Sequence, residues 1–226
     1  MPSVFLRTSL CNLHCIWCDT DYTWNWEGTR FKHVNDQKPG YRKFSKKEWI
    51  VTCPVETTAA LVGGFNCRNV VLTGGEPMLQ QPALSALMEL LRRTDPTYRF
   101  EVETNGTLVP DPVFDNLIDQ YNVSPKLENS HNQQKLREKP DAYRFFAASP
   151  KANFKFVVTS QQDVDELLLL SARYTIPAEK IWLMPEGNTR QALAKKRLWV
   201  VELCKMHGFR FSDRLHIQVW GSKKGV

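Results

Sequence analysis

The 226-residue sequence has no apolar run near the ~20 residues that a membrane-spanning helix needs; its leucine run at 167–170 is only four residues long. A helical membrane protein is therefore excluded. No basic segment followed by an apolar one opens the chain, so no secretory leader is visible. Internal repeats, low-complexity tracts and Pro/Gly/Ser-rich linkers are also missing. That leaves one domain over 1–226, long enough for a substantial core. With 42% hydrophobic and 24% charged residues, the composition is that of an ordinary soluble globular protein. The absent leader and the free thiols fit a reducing cytoplasm.

Charge is unevenly placed. The net charge is +6. Residues 187–226 carry nine Lys/Arg against Glu202 and Asp213, and the remainder is near neutral. A basic tail can bind nucleic acid. No aromatic-interleaved basic motif accompanies it, so no direct nucleic-acid contact is expected. A solvated helix face, or a basic mouth for an anionic substrate, is the simpler reading.

Cysteine is informative both by presence and by absence. Cys11, Cys15 and Cys18 follow the spacing C-x3-C-x2-C, with no fourth cysteine beside them. A closed zinc site needs four ligands, whereas three thiolates on a four-iron cluster leave one iron open. His14 as a fourth zinc ligand is the bland alternative; it would have to fold back inside the loop. Cys204 shares a helix face with Leu193 and Val200 and reads as core. Cys53 and Cys67 have no partner at a useful spacing.

Strands are expected over 3–8, 69–72, 98–103, 121–124, 153–159, 181–184 and 215–219. Strand 3–8 reads as buried, with Arg7 breaking its apolar run. Helices are expected near Ser45 and over 55–61, 82–93, 112–120, 135–148, from 161 onward, and over 189–207. Strand and helix alternate throughout, which predicts a mainly parallel α/β sheet. Turn motifs follow the strands at Thr73-Gly74-Gly75-Glu76-Pro77, Thr104-Asn105-Gly106, Ser124-Pro125-Lys126 and Pro185-Glu186-Gly187. A barrel-like sheet would gather them on its C-terminal rim. Two glycines after a strand let a ligand approach the backbone, and Glu76 offers an acceptor to an ammonium group. Trp24 and Trp26 read as water shields beside the cysteine loop.

The cysteine loop resembles the cluster signature of the radical S-adenosylmethionine (SAM) enzymes. With the Thr73–Pro77, Glu103–Thr107 and Val123–Lys126 motifs, Cys18-Asp19-Thr20 and the ending Val219-Trp220-Gly221-Ser222-Lys223-Lys224-Gly225-Val226, most of the chain is similar to the 7-carboxy-7-deazaguanine synthases. That resemblance implies an incomplete TIM-type (partial β/α) barrel in a single domain. It implies a 4Fe-4S cluster on Cys11, Cys15 and Cys18, and Mg2+ on Thr20. SAM contacts would come from Trp17, Asp19, Gly75, Glu76, Ser124, Pro125, Lys126, Met184 and Glu186. Arg7, Thr73 and His216 match substrate positions, which favours a guanidinium fork on a carboxylate over a plain salt bridge for Arg7.

The implied reaction cleaves SAM to a 5′-deoxyadenosyl radical, which contracts the ring of 6-carboxy-5,6,7,8-tetrahydropterin to 7-carboxy-7-deazaguanine with loss of ammonia. A homodimer and an electron donor such as flavodoxin are implied with it. Family members usually carry a strand and a Gln-Gly-Glu-Gly-type loop ahead of the segment matching Met1–Val4, and the given sequence is expected to lack both. The alternatives are a glycyl-radical-type activating enzyme acting on a protein, or a non-enzymatic metal- or cluster-binding protein.

Overall fold

The structure, a computed structural model, describes residues 2–221 and 223. Met1 and, of the C-terminal motif, residues 222 and 224–226 lie outside the described residues.

A seven-stranded parallel sheet runs in chain order from β1 to β7. Its strands are β1 (Val4–Thr8), β2 (Asn69–Gly74), β3 (Arg99–Thr104), β4 (Gln120–Val123), β5 (Ala152–Val158), β6 (Ile181–Pro185) and β7 (Arg210–Phe211). Helices α1 (Lys46–Trp49), α2 (Val55–Gly63), α3 (Gln81–Thr94), α4 (Pro112–Leu117), α5 (Gln134–Arg137), α6 (Pro140–Ala148), α7 (Gln161–Tyr174), α8 (Arg190–His207) and α9 (Leu215–Trp220) fill the connections. β1 and β7 are the two edges, so the barrel is open, as expected.

Alternation along each strand sorts the two faces. Val70, Leu72, Phe100, Val102, Tyr121, Val123, Phe154, Phe156, Ile181 and Leu183 join the helices in the hydrophobic core. Their neighbours Asn69, Thr73, Glu101, Glu103, Asn122 and Lys155 take the other face and bond one another across strands: Thr73 Oγ1 donates to Glu103 (2.8 Å), and Asn69 and Asn122 both donate to Glu101 (3.2 and 3.1 Å). A parallel sheet covered on both faces has apolar residues on both. Here the face opposite the core is mainly polar, with Val71, Val157, Trp182 and Met184 among its apolar members, as suits the lining of a cavity.

Three expectations about elements are corrected. Strand β1 is an edge rather than a buried strand: Phe5 is 59% exposed and Arg7 is exposed. The helix expected over 135–148 is two helices, because Pro140 sits in the first turn of α6 and cannot continue α5. The strand expected over 215–219 is helix α9, burying Ile217; the last strand is the two-residue β7, paired to Trp182 and Leu183 of β6.

Candidate functional site

The cysteine loop leaves the C-terminal end of β1 and lies over the rim of the sheet. Its first residues are stitched to the end of β2. Gly75 N–H donates to Thr8 O (3.1 Å) and Glu76 N–H to Leu10 O (2.8 Å). A Cβ on Gly74 would stand 2.1 Å from Thr8 O, and one on Gly75 2.1 Å from Leu10 O. Gly74 also has φ +145°, a conformation side chains rarely adopt. The close backbone approach that the sequence assigns to a ligand is therefore made first by the chain itself.

Each cysteine sulfur receives a polar hydrogen. Asn132 Nδ2 donates to Cys15 Sγ (3.3 Å), and Leu13 N–H and Asn105 Nδ2 reach Cys11 Sγ (3.5 and 4.0 Å). Thr20 Oγ1 lies 3.5 Å from Cys18 Sγ. Burial pushes the thiols up, to about 12 for Cys11 and about 11 for Cys15, and Cys18 is raised for the same reason. Partly to fully buried sulfurs that are costly to ionise alone, yet met by donors, fit thiolates whose charge a metal cluster balances. No three His, Cys, Asp or Glu side chains among the described residues converge tightly enough to hold a single ion. A cubane, whose ligands sit on four separate irons, needs a wider spread. His14 is not aimed at the sulfurs by its packing: its ring stacks on Phe31 at 3.4 Å and meets Trp24 edge-on at 5.1 Å. Burial lowers its pKa to about 4. Trp24 and Trp26 are buried.

Behind the loop lies a buried polar clamp. Glu76 is fully enclosed. Its Oε1 accepts from Met78 N–H (3.1 Å) and Thr104 Oγ1 (2.8 Å), and its Oε2 from Asn105 N–H (2.7 Å). Burial pushes its carboxyl up, against those three donors and Lys126. Asn105 Nδ2 then donates to Asn12 Oδ1 (2.8 Å), while Asn12 Nδ2 and Asn105 Oδ1 both engage Thr107. The acceptor that the sequence offers to an ammonium group is thus occupied in joining the β2 and β3 rims to the cysteine loop.

On the open side, Lys126 Nζ donates to Ser124 Oγ (3.0 Å) and lies 5.7 Å from the Trp17 ring. The Trp17 indole N–H is held by Asn129 O (2.8 Å), and Pro125 between Ser124 and Lys126 is buried. Asp19 is exposed and pairs with Arg214; partial desolvation opposes its ionisation, but Arg214, Arg7 and Lys126 hold its pKa below the usual carboxylate range. Arg7 forms no ion pair with a described residue, so the plain salt-bridge reading is not the one the structure adopts. Thr73 stands beside Arg7 in the β1–β2 register and bonds Glu103, which Lys155 approaches at 3.5 Å. His216 lies on α9, and burial and Arg214 lower its pKa while Asp19 and Glu103 oppose. Met184 occupies the polar-face register of β6. Glu186 is engaged by Lys196 at 2.8 Å.

The structure thus gathers Arg7, Asp19, Thr73 and His216 on one side of the cysteine loop, and Trp17, Ser124 and Lys126 on another. It assigns contacts to Glu103, Asn105 and Thr107 within the motif the sequence marked, and adds residues the sequence did not single out: Asn132 beside a sulfur, Asn12 bonded to Asn105 and Thr107, Arg214 and Lys155 on the open side, and His33. His33 is buried; its Nδ1 accepts from Asn35 N–H (3.1 Å), leaving Nε2–H to donate to Cys18 O (2.8 Å).

Comparison with known proteins decides the family. The profile of the Radical SAM superfamily matches residues 5–160. The chain belongs to the radical SAM superfamily. Within it, the chain groups with enzymes named 7-carboxy-7-deazaguanine synthase. The protein of that name from Pyrobaculum aerophilum is 35% identical over 99% of this chain and 88% of its own length. The one from Halobacterium salinarum is 34% identical over 97% and 83%. The one from Bacillus subtilis is 25% identical over 99% and 90%. A radical SAM enzyme carries a 4Fe-4S cluster and SAM, and the donor-lined cysteine loop fits the first of these. No helix is long and apolar enough to cross a membrane among the described residues.

Proposed function

We propose that this radical SAM enzyme contracts 6-carboxy-5,6,7,8-tetrahydropterin to 7-carboxy-7-deazaguanine, with loss of ammonia, in 7-deazapurine (queuosine-type) biosynthesis. The observation that carries this reading is the polar face of the open sheet next to the cysteine loop. Arg7, Lys155 and Arg214 stand there among Glu103, Asp19 and Thr73. A mixed-charge surface of this kind suits a polar heterocycle bearing a carboxylate. The names of the relatives give 7-carboxy-7-deazaguanine as their product, which supports the same reaction.

Cys11, Cys15 and Cys18 would hold three irons of the cluster. When bound, cluster and SAM supply a one-electron cleavage whose carbon radical removes hydrogen from an unreactive C–H bond. The residues of this chain position and protect that chemistry. The Gly75–Glu76 turn, Ser124, Pro125 and Lys126, with Trp17, Asp19, Met184 and Glu186, would hold SAM. In our proposal Glu76 acts through the backbone turn that it locks. Arg7 would fork onto the substrate carboxylate, with Thr73 and His216 against the pterin. Thr20 offers Mg2+ the hard oxygen it prefers. Buried Trp24 and Trp26 keep water from one flank of the loop. We further propose that one domain over 1–226 does this as a cytoplasmic homodimer, drawing electrons from a protein donor such as flavodoxin.

The test is anaerobic. The chain is reconstituted with iron and sulfide and given the carboxytetrahydropterin, SAM, Mg2+ and dithionite. Formation of 7-carboxy-7-deazaguanine, lost in Cys15→Ala, is the expected result. SAM cleavage without that product would overturn the substrate while leaving the superfamily chemistry intact.

A further inference from the structure

A second basic stretch lies beside the cysteine loop and is unused by the chemistry above. Residues 28–47 carry seven Lys/Arg against the single acid Asp36, a local +6. By contrast, five of the nine cations of 187–226 are bound to groups of the fold, Lys205 on Glu202 among them. Lys196 binds Glu186, Arg197 binds Asp213, Arg214 binds Asp19, and Arg190 donates to the carbonyls of Ile217 and Val219. In 28–47 only Lys43 is so engaged, on Thr29 O and Phe31 O, with Asp36 4.0 Å away. Arg30, Lys32, Lys38, Arg42, Lys46 and Lys47 are exposed and form no ion pair with a described residue.

Like charges left together on a surface repel one another, so their retention needs a reason. The second observation supplies one: this stretch is fastened to the backbone of the cysteine loop. Val34 N–H donates to Ile16 O (2.9 Å), His33 Nε2 to Cys18 O (2.8 Å), and Phe31 stacks on His14 between Leu13 and Cys15. Buried Asp21 anchors it from the other side through Tyr41 Oη (2.8 Å) and Asn35 Nδ2 (3.2 Å). A partner seated on these cations would stand against the loop that carries the cluster ligands.

We propose that residues 28–47 are the docking surface for an acidic electron-carrying protein, which delivers one electron to the cluster through the Cys15–Cys18 side of the loop. The proposal rests on the radical SAM reading and on its need for a reductant. With a flavin carrier, the anionic hydroquinone loses one electron and becomes the neutral semiquinone. The oxidised cluster gains that electron, and no proton has to cross. Opposite charges steer such an encounter and raise association rates roughly 10- to 1000-fold, with a steep salt dependence.

The experiment compares wild type with the triple variant Arg30→Glu/Lys32→Glu/Arg42→Glu, and with Arg93→Glu/Lys195→Glu/Lys205→Glu as a charge-matched control. Two readouts are used: affinity for immobilised flavodoxin by interferometry, and SAM cleavage driven either by flavodoxin hydroquinone or by dithionite. The first variant is expected to bind flavodoxin roughly tenfold more weakly or worse. It should lose flavodoxin-driven rate and salt sensitivity to match, and keep the dithionite-driven rate. The control should keep both. Unchanged affinity and flavodoxin-driven rate in the first variant, or an equal loss in the control, would overturn the docking surface. Loss of dithionite-driven cleavage in wild type would instead overturn the underlying reading. Binding of a tRNA transcript that is abolished in the first variant, with flavodoxin behaviour unchanged, would reassign the surface to RNA and also overturn the proposal.

Discussion

Glu76 separates two roles that the sequence cannot tell apart. As a cofactor contact, its carboxylate would be free until SAM arrives. In the structure it is fully enclosed and accepts from Met78 N–H, Thr104 Oγ1 and Asn105 N–H at 2.7–3.1 Å. Glu76→Gln keeps an oxygen where two of these donors converge. It turns an NH2 toward the third, so one charged hydrogen bond is lost and two donors face each other. A bond to a charged group contributes about 1.5–3 kcal/mol, and relief from burying a charge offsets part of it. We expect the apo protein to lose about 1–3 kcal/mol. At this chain length that is roughly 3–10 °C in Tm. Glu76→Ala strands all three donors and should cost more, about 3–5 kcal/mol. The assay is thermal unfolding of the apo chain followed by circular dichroism, alongside SAM affinity of the reconstituted chain. If Glu76→Gln leaves the apo Tm within about 1 °C of wild type and weakens only SAM binding, the clamp reasoning is refuted.

Gly75→Ala should displace the cysteine loop, because its Cβ would stand 2.1 Å from Leu10 O; iron retained after reconstitution should fall, and a full complement of iron would contradict the close approach. Asn132→Ala removes the donor to Cys15 Sγ and the acceptor for His14 N–H (2.9 Å). Because hydrogen bonds to sulfur raise cluster potentials, an EPR-monitored titration should show a lower potential than wild type. Burial opposes ionisation of Glu103, but Lys155, the bond from Thr73 and Arg7 hold its pKa below the ordinary value. Its contribution to stability is therefore present above about pH 4.5 and lost as pH falls through its folded value. Glu103→Gln should flatten the acid limb of urea-midpoint stability below about pH 5, and an unchanged limb would show that the ion pair is not felt.

What was legible in the sequence, and what was not, follows from the range of each interaction. The parallel strands could be read because alternation is local: Phe100 and Val102 face the core while Glu101 and Glu103 face away. The rim motifs could be read because each simply follows its strand. Residues 215–219 could not, since Leu-His-Ile-Gln-Val alternates like a strand yet is too short for the period to exclude a helix, and β7 is two residues long. The purpose of Gly74 and Gly75 is hidden because the backbone they admit lies far off in sequence, Thr8 66 residues before Gly74 and Leu10 65 before Gly75. The sulfur donors Asn105 and Asn132 come from two distant loops, and asparagine carries no periodic or spacing signal. Charge is legible only as an average: counting 187–226 as basic and the remainder as near neutral sums the +6 of residues 28–47 with acids elsewhere. Only the structure distinguishes cations held by internal partners from cations left facing solvent beside the cysteine loop. Local pattern thus finds the parts of this chain. How the parts are held is set by contacts across the sheet rim, which lock the Glu76 carboxylate between the β2 and β3 rims and fasten the basic stretch 28–47 to the cysteine loop.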